Sequence, residues 1–213
     1  MTVQRVVVMV LGIGLLLLAG CTRQSHMVQP MPIEKGAPVV YIRPLVDVYR
    51  QARVGVAPFQ VPTNMGAAQA LGVAALFKDV LLGKRIFPTV KQLATPYGDY
   101  ENAVEMGRRA GVDLVLAGRV DYGLDGSDFG GARVAVSVRL LETKTGNTVW
   151  YVSQAMDQEM DYPDASVMHR LLTSFSLPAY RGSNGAPAVA NMLARIAVDM
   201  ADVFGGAQSV ARR

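Results

Sequence analysis

The stretch "ARVAVSVRLLETKTGNTVWYVSQ", residues 132–154, contains two strand patterns joined by a turn. In its first half, apolar residues alternate with polar or small ones, which is typical of an antiparallel strand with one buried face. The apolar positions are Val134, Val136, Val138 and Leu140. The Lys144-Thr145-Gly146-Asn147 segment favours a turn, so the stretch predicts a β-hairpin. We expect Trp150 and Tyr151 to lie on opposite sheet faces, one in the core and one exposed.

Strand and helix patterns alternate in the chain before this hairpin. The runs "ARVGVAPF" (52–59) and "VDLVLAGRVDYG" (112–123) are typical of buried strands, and Pro88 marks "IFPTVKQL" (86–93) as an edge strand. Helices are predicted over about 65–82, with Thr63 or Asn64 as N-cap, over about 99–110, and from Pro187 to Gly205-Gly206. With the hairpin, the order β-α-β-α-β-β-β-α predicts an α/β fold with a single mixed sheet.

The first of these helices is apolar around most of its circumference, and its polar residues are few. A helix of this kind must be covered on more than one side, either by its own domain or by a neighbouring subunit. A candidate oligomer face is formed by Leu76, Phe77 and Val80.

The N-terminal region contains the single cysteine of the chain, in "LLLLAGCTRQ" (15–24). The uninterrupted apolar run 6–18 is shorter than the roughly 20 residues that a membrane-spanning helix needs, and Arg5 precedes it. This pattern indicates a signal peptide. A cleaved signal with an incidental cysteine and an uncleaved anchor are the alternatives.

The segment Leu18-Ala19-Gly20-Cys21 resembles the bacterial lipobox. The resemblance implies cleavage between Gly20 and Cys21, a thioether-linked diacylglycerol on Cys21 and acylation of the new N-terminus. Thr22 then favours export to the outer membrane over retention at the inner one. We divide the chain into a signal peptide (1–20), a lipidated flexible tether (21–38), a periplasmic domain (39–206) with an insertion (154–186), and a tail (207–213).

The composition excludes several classes of site. The chain has 21 basic and 17 acidic residues, without a basic stripe that could bind nucleic acid. One cysteine cannot form an internal disulfide, and two histidines offer little for a metal site. His169 has no serine or cysteine nucleophile near it in sequence. We therefore expect no metal, no cofactor other than the lipid, and no catalytic residue.

An acidic cluster lies within the expected insertion and is composed of Asp157, Glu159, Asp161 and Asp164. A solvated loop is the simpler interpretation. If several copies formed a ring, however, these acids would focus a negative potential that attracts a cationic polymer or protein. The cluster is therefore a candidate surface for cargo or a partner.

Residues 54–153 together with the last helix resemble an outer-membrane lipoprotein superfamily whose fold is like the TolB N-terminal domain. The most telling pieces are Gly111-Val112-Asp113 at the start of a strand and the Glu142-Thr143-Lys144-Thr145-Gly146 turn. The superfamily includes the curli-secretion channel subunit, the Pel polysaccharide-export lipoprotein and the penicillin-binding-protein activator lipoproteins. The resemblance implies a non-enzymatic role in the cell envelope.

Two functions follow as expectations. The first is a lipid-anchored protein on the periplasmic face of the outer membrane, which self-associates and works with envelope export machinery to export a polymer or protein. The alternative is a monomeric periplasmic adaptor that activates a peptidoglycan synthase or stabilises another envelope complex. The over-apolar first helix favours self-association.

Overall fold

The computed structural model describes residues 33–45, 48–126, 131–158 and 188–210, and in this part of the chain seven strands form one mixed sheet. The strands are β1 (Ile33–Lys35), β2 (Val39–Ile42), β3 (Arg53–Val56), β4 (Thr89–Gln92), β5 (Leu114–Leu124), β6 (Arg133–Glu142) and β7 (Thr148–Gln158). The helices are α1 (Ala67–Gly83), α2 (Tyr100–Ala110) and α3 (Ala188–Val210). The predicted α/β class with a single mixed sheet is confirmed.

The strand order is β1-β7-β6-β5-β3-β4, and β2 also pairs with β7. β3 runs parallel to both β4 and β5, with α1 and α2 as the intervening helices, whereas β5, β6 and β7 form antiparallel pairs. β4 lies at one edge of the sheet, as Pro88 predicted. β1 and β2 lie at the opposite edge, so the two ends of the sheet are chemically different surfaces.

Helices cover the two faces of the sheet unequally. α1 and α3 pack on one face over the main core, which includes the apolar positions of β6 and the buried Trp150. On the other face, α2 covers a smaller core formed with residues such as Ala117 and Leu141. None of the helices in the described ranges combines the length and apolar character needed to cross a membrane.

α2 has the end signals that its sequence predicts. The Asp99 side chain accepts a hydrogen bond from the backbone N–H of Asn102 at 2.7 Å, and Gly111 ends the helix in the left-handed conformation with φ 65°. Glu101 lies in the first turn, and two arginines lie in the last. These charges oppose the helix dipole at each end.

Asp113 joins the starts of β3 and β5. Its Oδ2 accepts hydrogen bonds from the backbone N–H and the Nε of Arg53, at 2.9 and 3.1 Å, and its Oδ1 accepts one from Nη2 at 3.1 Å. These bonds to Arg53 hold the pKa of Asp113 below its usual value. The buried Thr143 hydroxyl donates to the carbonyl of Val112, which ties the hairpin turn to the same corner. The two sequence pieces on which the resemblance rests therefore meet in space.

Gly118 on β5 allows a close approach that a side chain would prevent. A Cβ at this position would lie 2.2 Å from the ring of Phe59, and the Gly118 carbonyl accepts a hydrogen bond from the Tyr97 hydroxyl at 2.8 Å. Burial raises the pKa of Tyr97, so this hydroxyl remains a donor.

We expect Gly118→Ala to lower the free energy of unfolding by about 1–3 kcal/mol, because overpacking a dense core displaces its neighbours. Gly72→Ala is the matched control, since a Cβ there meets no atom within 4 Å. That exchange, in the interior of α1, should raise stability by about 0.5–1 kcal/mol. Urea unfolding of both variants measures these changes, and equal stabilities would contradict the packing at Phe59.

Four sequence-based boundaries were wrong. Ile33–Lys35 pairs with β7, so the expected tether 21–38 overlaps the sheet. β7 continues to Gln158, so residues 154–158 belong to the sheet and not to an insertion (154–186), because β1 extends the pairing. α3 passes through Gly205-Gly206 to Val210, beyond the expected domain end at 206, since two glycines weaken a helix without ending it. The N-cap of α1 is Gly66, whose N–H donates to the Gln69 side chain at 2.7 Å, and not Thr63 or Asn64.

Candidate functional site

The structure separates the site residues expected from sequence. Gly20, Cys21, Glu159, Asp161 and Asp164 lie outside the described residues. Asp157 lies on β7, where its Oδ1 is 2.8 Å from the Nε of Arg133. It was expected in a solvated loop, and this was wrong because Asp157 lies on β7, where strand pairing places it opposite Arg133.

The expected oligomer face on α1 also needs correction. Phe77 is 1% exposed and packs on the ring of Phe59, with the centroids 4.8 Å apart. It belongs to the core and cannot contact a neighbouring subunit. Leu76 and Val80 are half-buried against the same core.

The exposed large apolar side chains of α1 are instead Leu71 and Leu82, which are 41% and 40% exposed. They are eleven residues apart, about three helical turns, and therefore share one side of the helix.

The largest exposed apolar feature among the described residues is β2 with the segment after it. Every residue of β2 is exposed, on both faces, and the following segment adds two more apolar side chains. We call this set the apolar edge: Val39, Val40, Tyr41, Ile42, Leu45 and Val48. Leu45 is 96% exposed. Exposed apolar side chains grouped in this way make the apolar edge a candidate interaction surface.

The backbone of β2 is open as well. β2 pairs with β7 on one side, and no strand in the described part of the chain pairs with its other side. An unpaired strand offers a row of N–H and C=O groups to a partner, and proteins usually protect such edges with charge or proline. β2 itself, "VVYI", carries neither. Both its side chains and its backbone are therefore available for association.

A polar clamp holds the N-terminal strands on the sheet. The Gln154 amide donates to the Gly36 carbonyl at 2.8 Å and to Asp199 on α3 at 2.7 Å, while Lys35 Nζ lies 2.6 Å from the same carboxylate. The Gly36 N–H donates to the carbonyl of Ala155 at 3.1 Å. A Cβ at Gly36 would lie 2.7 Å from that oxygen, so glycine is required for this approach. The position of the apolar edge is thus fixed by core elements.

A second feature lies on the sheet face that carries α2. The guanidinium of Arg139 lies between two tyrosine rings, 4.2 Å from the centroid of Tyr151 and 4.8 Å from that of Tyr100. Tyr41 stacks on Tyr151 with the centroids 4.7 Å apart. We call these four residues the Tyr-Arg row. Each contact with the guanidinium is a cation–π interaction, which orients the charge without neutralising it.

Sequence reasoning missed both surfaces. The β-branched run 39–42 is typical of a strand, but its exposure depends on the long-range pairing with β7. Arg139 was expected to face solvent, whereas the rings that enclose it come from β7 and from the start of α2. Within the described residues, no group of three or more His, Cys, Asp or Glu side chains could hold a metal ion.

The fold is similar to that of solved bacterial proteins. No protein-family model matches the chain, and no curated protein is similar to it in sequence. Among solved structures, the PelC dodecamer from Paraburkholderia phytofirmans is similar with a TM-score of 0.53 and 17% identity, over 81% of this chain and 97% of that chain. A second PelC dodecamer structure from the same organism gives 0.51 and 13%, over 81% and 98%. The LpoB C-terminal domain from Salmonella enterica has a TM-score of 0.39 and 14% identity, over 52% and 86%.

The chain therefore has the PelC fold, as the resemblance to the outer-membrane lipoprotein superfamily predicted.

Proposed function

We propose that this protein is a lipid-anchored accessory of the outer membrane that assembles into a ring and assists the export of a polymer or protein. The apolar edge carries the proposal, because its side chains are exposed on both faces and no described strand pairs with the side of β2 that faces away from β7. The shared fold with a protein that crystallised as a dodecamer supports it. The proposed role is non-enzymatic and needs no cofactor besides the lipid.

The fold provides the two different surfaces that a ring requires. In a closed ring each subunit contacts its neighbour head to tail, so one patch must fit a second, distinct patch. The apolar edge lies at the β7 end of the sheet. The stripe of Leu71 and Leu82 lies on α1. This helix contacts β3 and β4, at the end of the sheet opposite β7. We propose that the apolar edge of one copy packs against this stripe of the next.

The proposed anchor lies close to the folded domain in sequence. The first strand begins at Ile33, and Cys21 precedes it by twelve positions. Twelve extended residues span at most about 40 Å. A lipid on Cys21 would therefore keep the sheet within that distance of the membrane, and the subunits of a ring would share one orientation.

Export in the native strain tests the proposal. A strain that lacks the gene is complemented with wild type, Cys21→Ser or Ile42→Lys, and extracellular polysaccharide and secreted protein are measured. We expect export in both variants to fall to the level of the deletion strain. Cys21→Ser should lose the lipid anchor, and Ile42→Lys should lose assembly. Val198→Lys, an equivalent exchange at an exposed position of α3, should restore export. Unchanged export in the deletion strain would contradict the proposed role.

A further inference from the structure

The Tyr-Arg row holds a positive charge that has no acidic partner among the described residues. Three arginines lie on this face of β5 and β6, and two of them are paired: Arg119 with Asp121 at 3.2 Å and Arg133 with Asp157 at 2.8 Å. Arg139 forms no ion pair with any residue that the structure describes, and its Nε is buried without a hydrogen-bond partner. A guanidinium presents donors in a planar fork that matches a carboxylate. The face is therefore complementary to one anionic group at Arg139.

Around Arg139, the described residues of β6 and β7 form a floor of mostly small side chains. Strand register places Arg139 opposite Tyr151, Ser137 opposite Ser153, and Ala135 opposite Ala155. These side chains are half-buried or exposed, because the core beneath α2 takes its strand residues from β5 and from the end of β6. On the β5 side, the floor is bordered by Arg119 and by Tyr122, which is 45% exposed. Within the described part of the chain, the floor continues from β7 to β5, so a long molecule could lie across it.

The chemistry of the floor favours a sugar polymer over a peptide. Its polar groups are mainly hydroxyls, which donate and accept as sugar hydroxyls do. They belong to Ser137, Ser153, Tyr41, Tyr100, Tyr122 and Tyr151. Tyr122 is exposed at the β5 side of the floor, and an exposed ring can pack on the apolar C–H face of a sugar. Strand addition by a peptide needs a free backbone edge, and β6 lies inside the sheet with both edges paired.

We propose that the Tyr-Arg row and the small-residue floor beside it bind an acidic polysaccharide. A uronate carboxylate accepts hydrogen bonds from the guanidinium of Arg139, and neighbouring sugar hydroxyls bond to Ser137 and Ser153. The inference rests on the proposed export function, since it names the class of polymer that the ring would handle. Arg139, Ser137 and Ser153, which make the proposed contacts, belong neither to the apolar edge nor to the stripe on α1, so variants at these positions separate binding from assembly.

Binding of polygalacturonate to the detergent-extracted full chain tests the proposal by calorimetry. We expect Arg139→Gln to weaken binding at least about tenfold, because a charge-assisted bidentate contact is lost. Tyr100→Ala should weaken it several-fold by releasing the guanidinium. Arg133→Gln is the matched control, since Arg133 is already paired, and it should bind nearly as the wild type does. Thermal unfolding of each variant shows that the fold is retained.

Two further probes decide what the site recognises. Neutral dextran should bind much more weakly than polygalacturonate. Poly-L-glutamate that binds as tightly, with the same loss in Arg139→Gln, would overturn the inference in favour of an acidic peptide. So would a wild type that does not bind polygalacturonate, or Arg139→Gln with unchanged affinity. Mass measured on the same samples keeps the tests apart: an intact ring that fails to bind contradicts this inference alone, and a monomer that binds contradicts assembly alone.

Discussion

Replacing Phe77 with Asp is expected to unfold the protein. Phe77 is 1% exposed, lies on the buried side of α1 with Val73, Ala74 and Leu81, and contacts the ring of Phe59. Truncating a buried Phe costs about 3–5 kcal/mol, and an unpaired buried carboxylate adds a desolvation penalty. Because domains of this size are stable by about 5–15 kcal/mol, the sum is close to the whole stability. Circular dichroism with temperature measures the loss of the folded state.

Leu82→Asp is the matched control on the same helix. Leu82 is exposed and belongs to the proposed stripe, so this variant should lose assembly but remain a folded subunit that unfolds cooperatively. If Phe77→Asp were instead folded and merely failed to assemble, Phe77 would be an intersubunit residue. The core described for α1 would then be wrong.

Replacing Ile42 with Lys is expected to convert the assembly into monomers. Ile42 lies on the open strand β2, and 39% of it is exposed in the single chain. A neighbour that covers this strand would bury the ammonium group away from water, and a buried unpaired charge costs several kcal/mol per interface. Lysine on an edge strand is also a common natural protection against edge-to-edge pairing. The fold itself should be nearly unaffected, since the side chain already borders solvent.

Light scattering of the detergent-extracted protein gives the mass of each species. Leu71→Lys alters the second proposed patch and should lower the mass as Ile42→Lys does. Val198→Lys introduces the same charge at a position that is 37% exposed on α3, and it should keep the wild-type mass. A multimeric Ile42→Lys variant would exclude β2 as the interface, and a monomeric Val198→Lys would show that added charge alone disrupts the assembly.

Sequence predicted the elements that are defined by local pattern. The alternation from Val134 to Leu140 gave β6 and its buried face, because period-two burial is visible in the residues themselves. Asp99 and Gly111 gave the ends of α2 within one residue, because capping is a local interaction. Trp150 and Tyr151 were predicted to lie on opposite faces of the sheet. Trp150 is buried in the main core, where it packs beside Phe204, whereas Tyr151 is half-buried on the other face.

The features that sequence could not predict depend on distant contacts. β1 is three residues long and is held by Gln154 and Asp199, which lie on β7 and α3. Leu76 and Phe77 are consecutive apolar residues of α1, so the sequence does not show which of them is fully buried. In the structure, Phe77 packs on Phe59 in the core. The Tyr-Arg row joins side chains from β2, α2, β6 and β7. None of these arrangements is contained in a single stretch of sequence.

The mass of the wild-type protein, extracted from its own membrane in mild detergent and measured over a hundredfold range of concentration, tests self-association most directly. We expect a species of many subunits that persists on dilution. A strictly monomeric protein at every concentration would contradict the ring and favour a periplasmic adaptor that acts as a single copy.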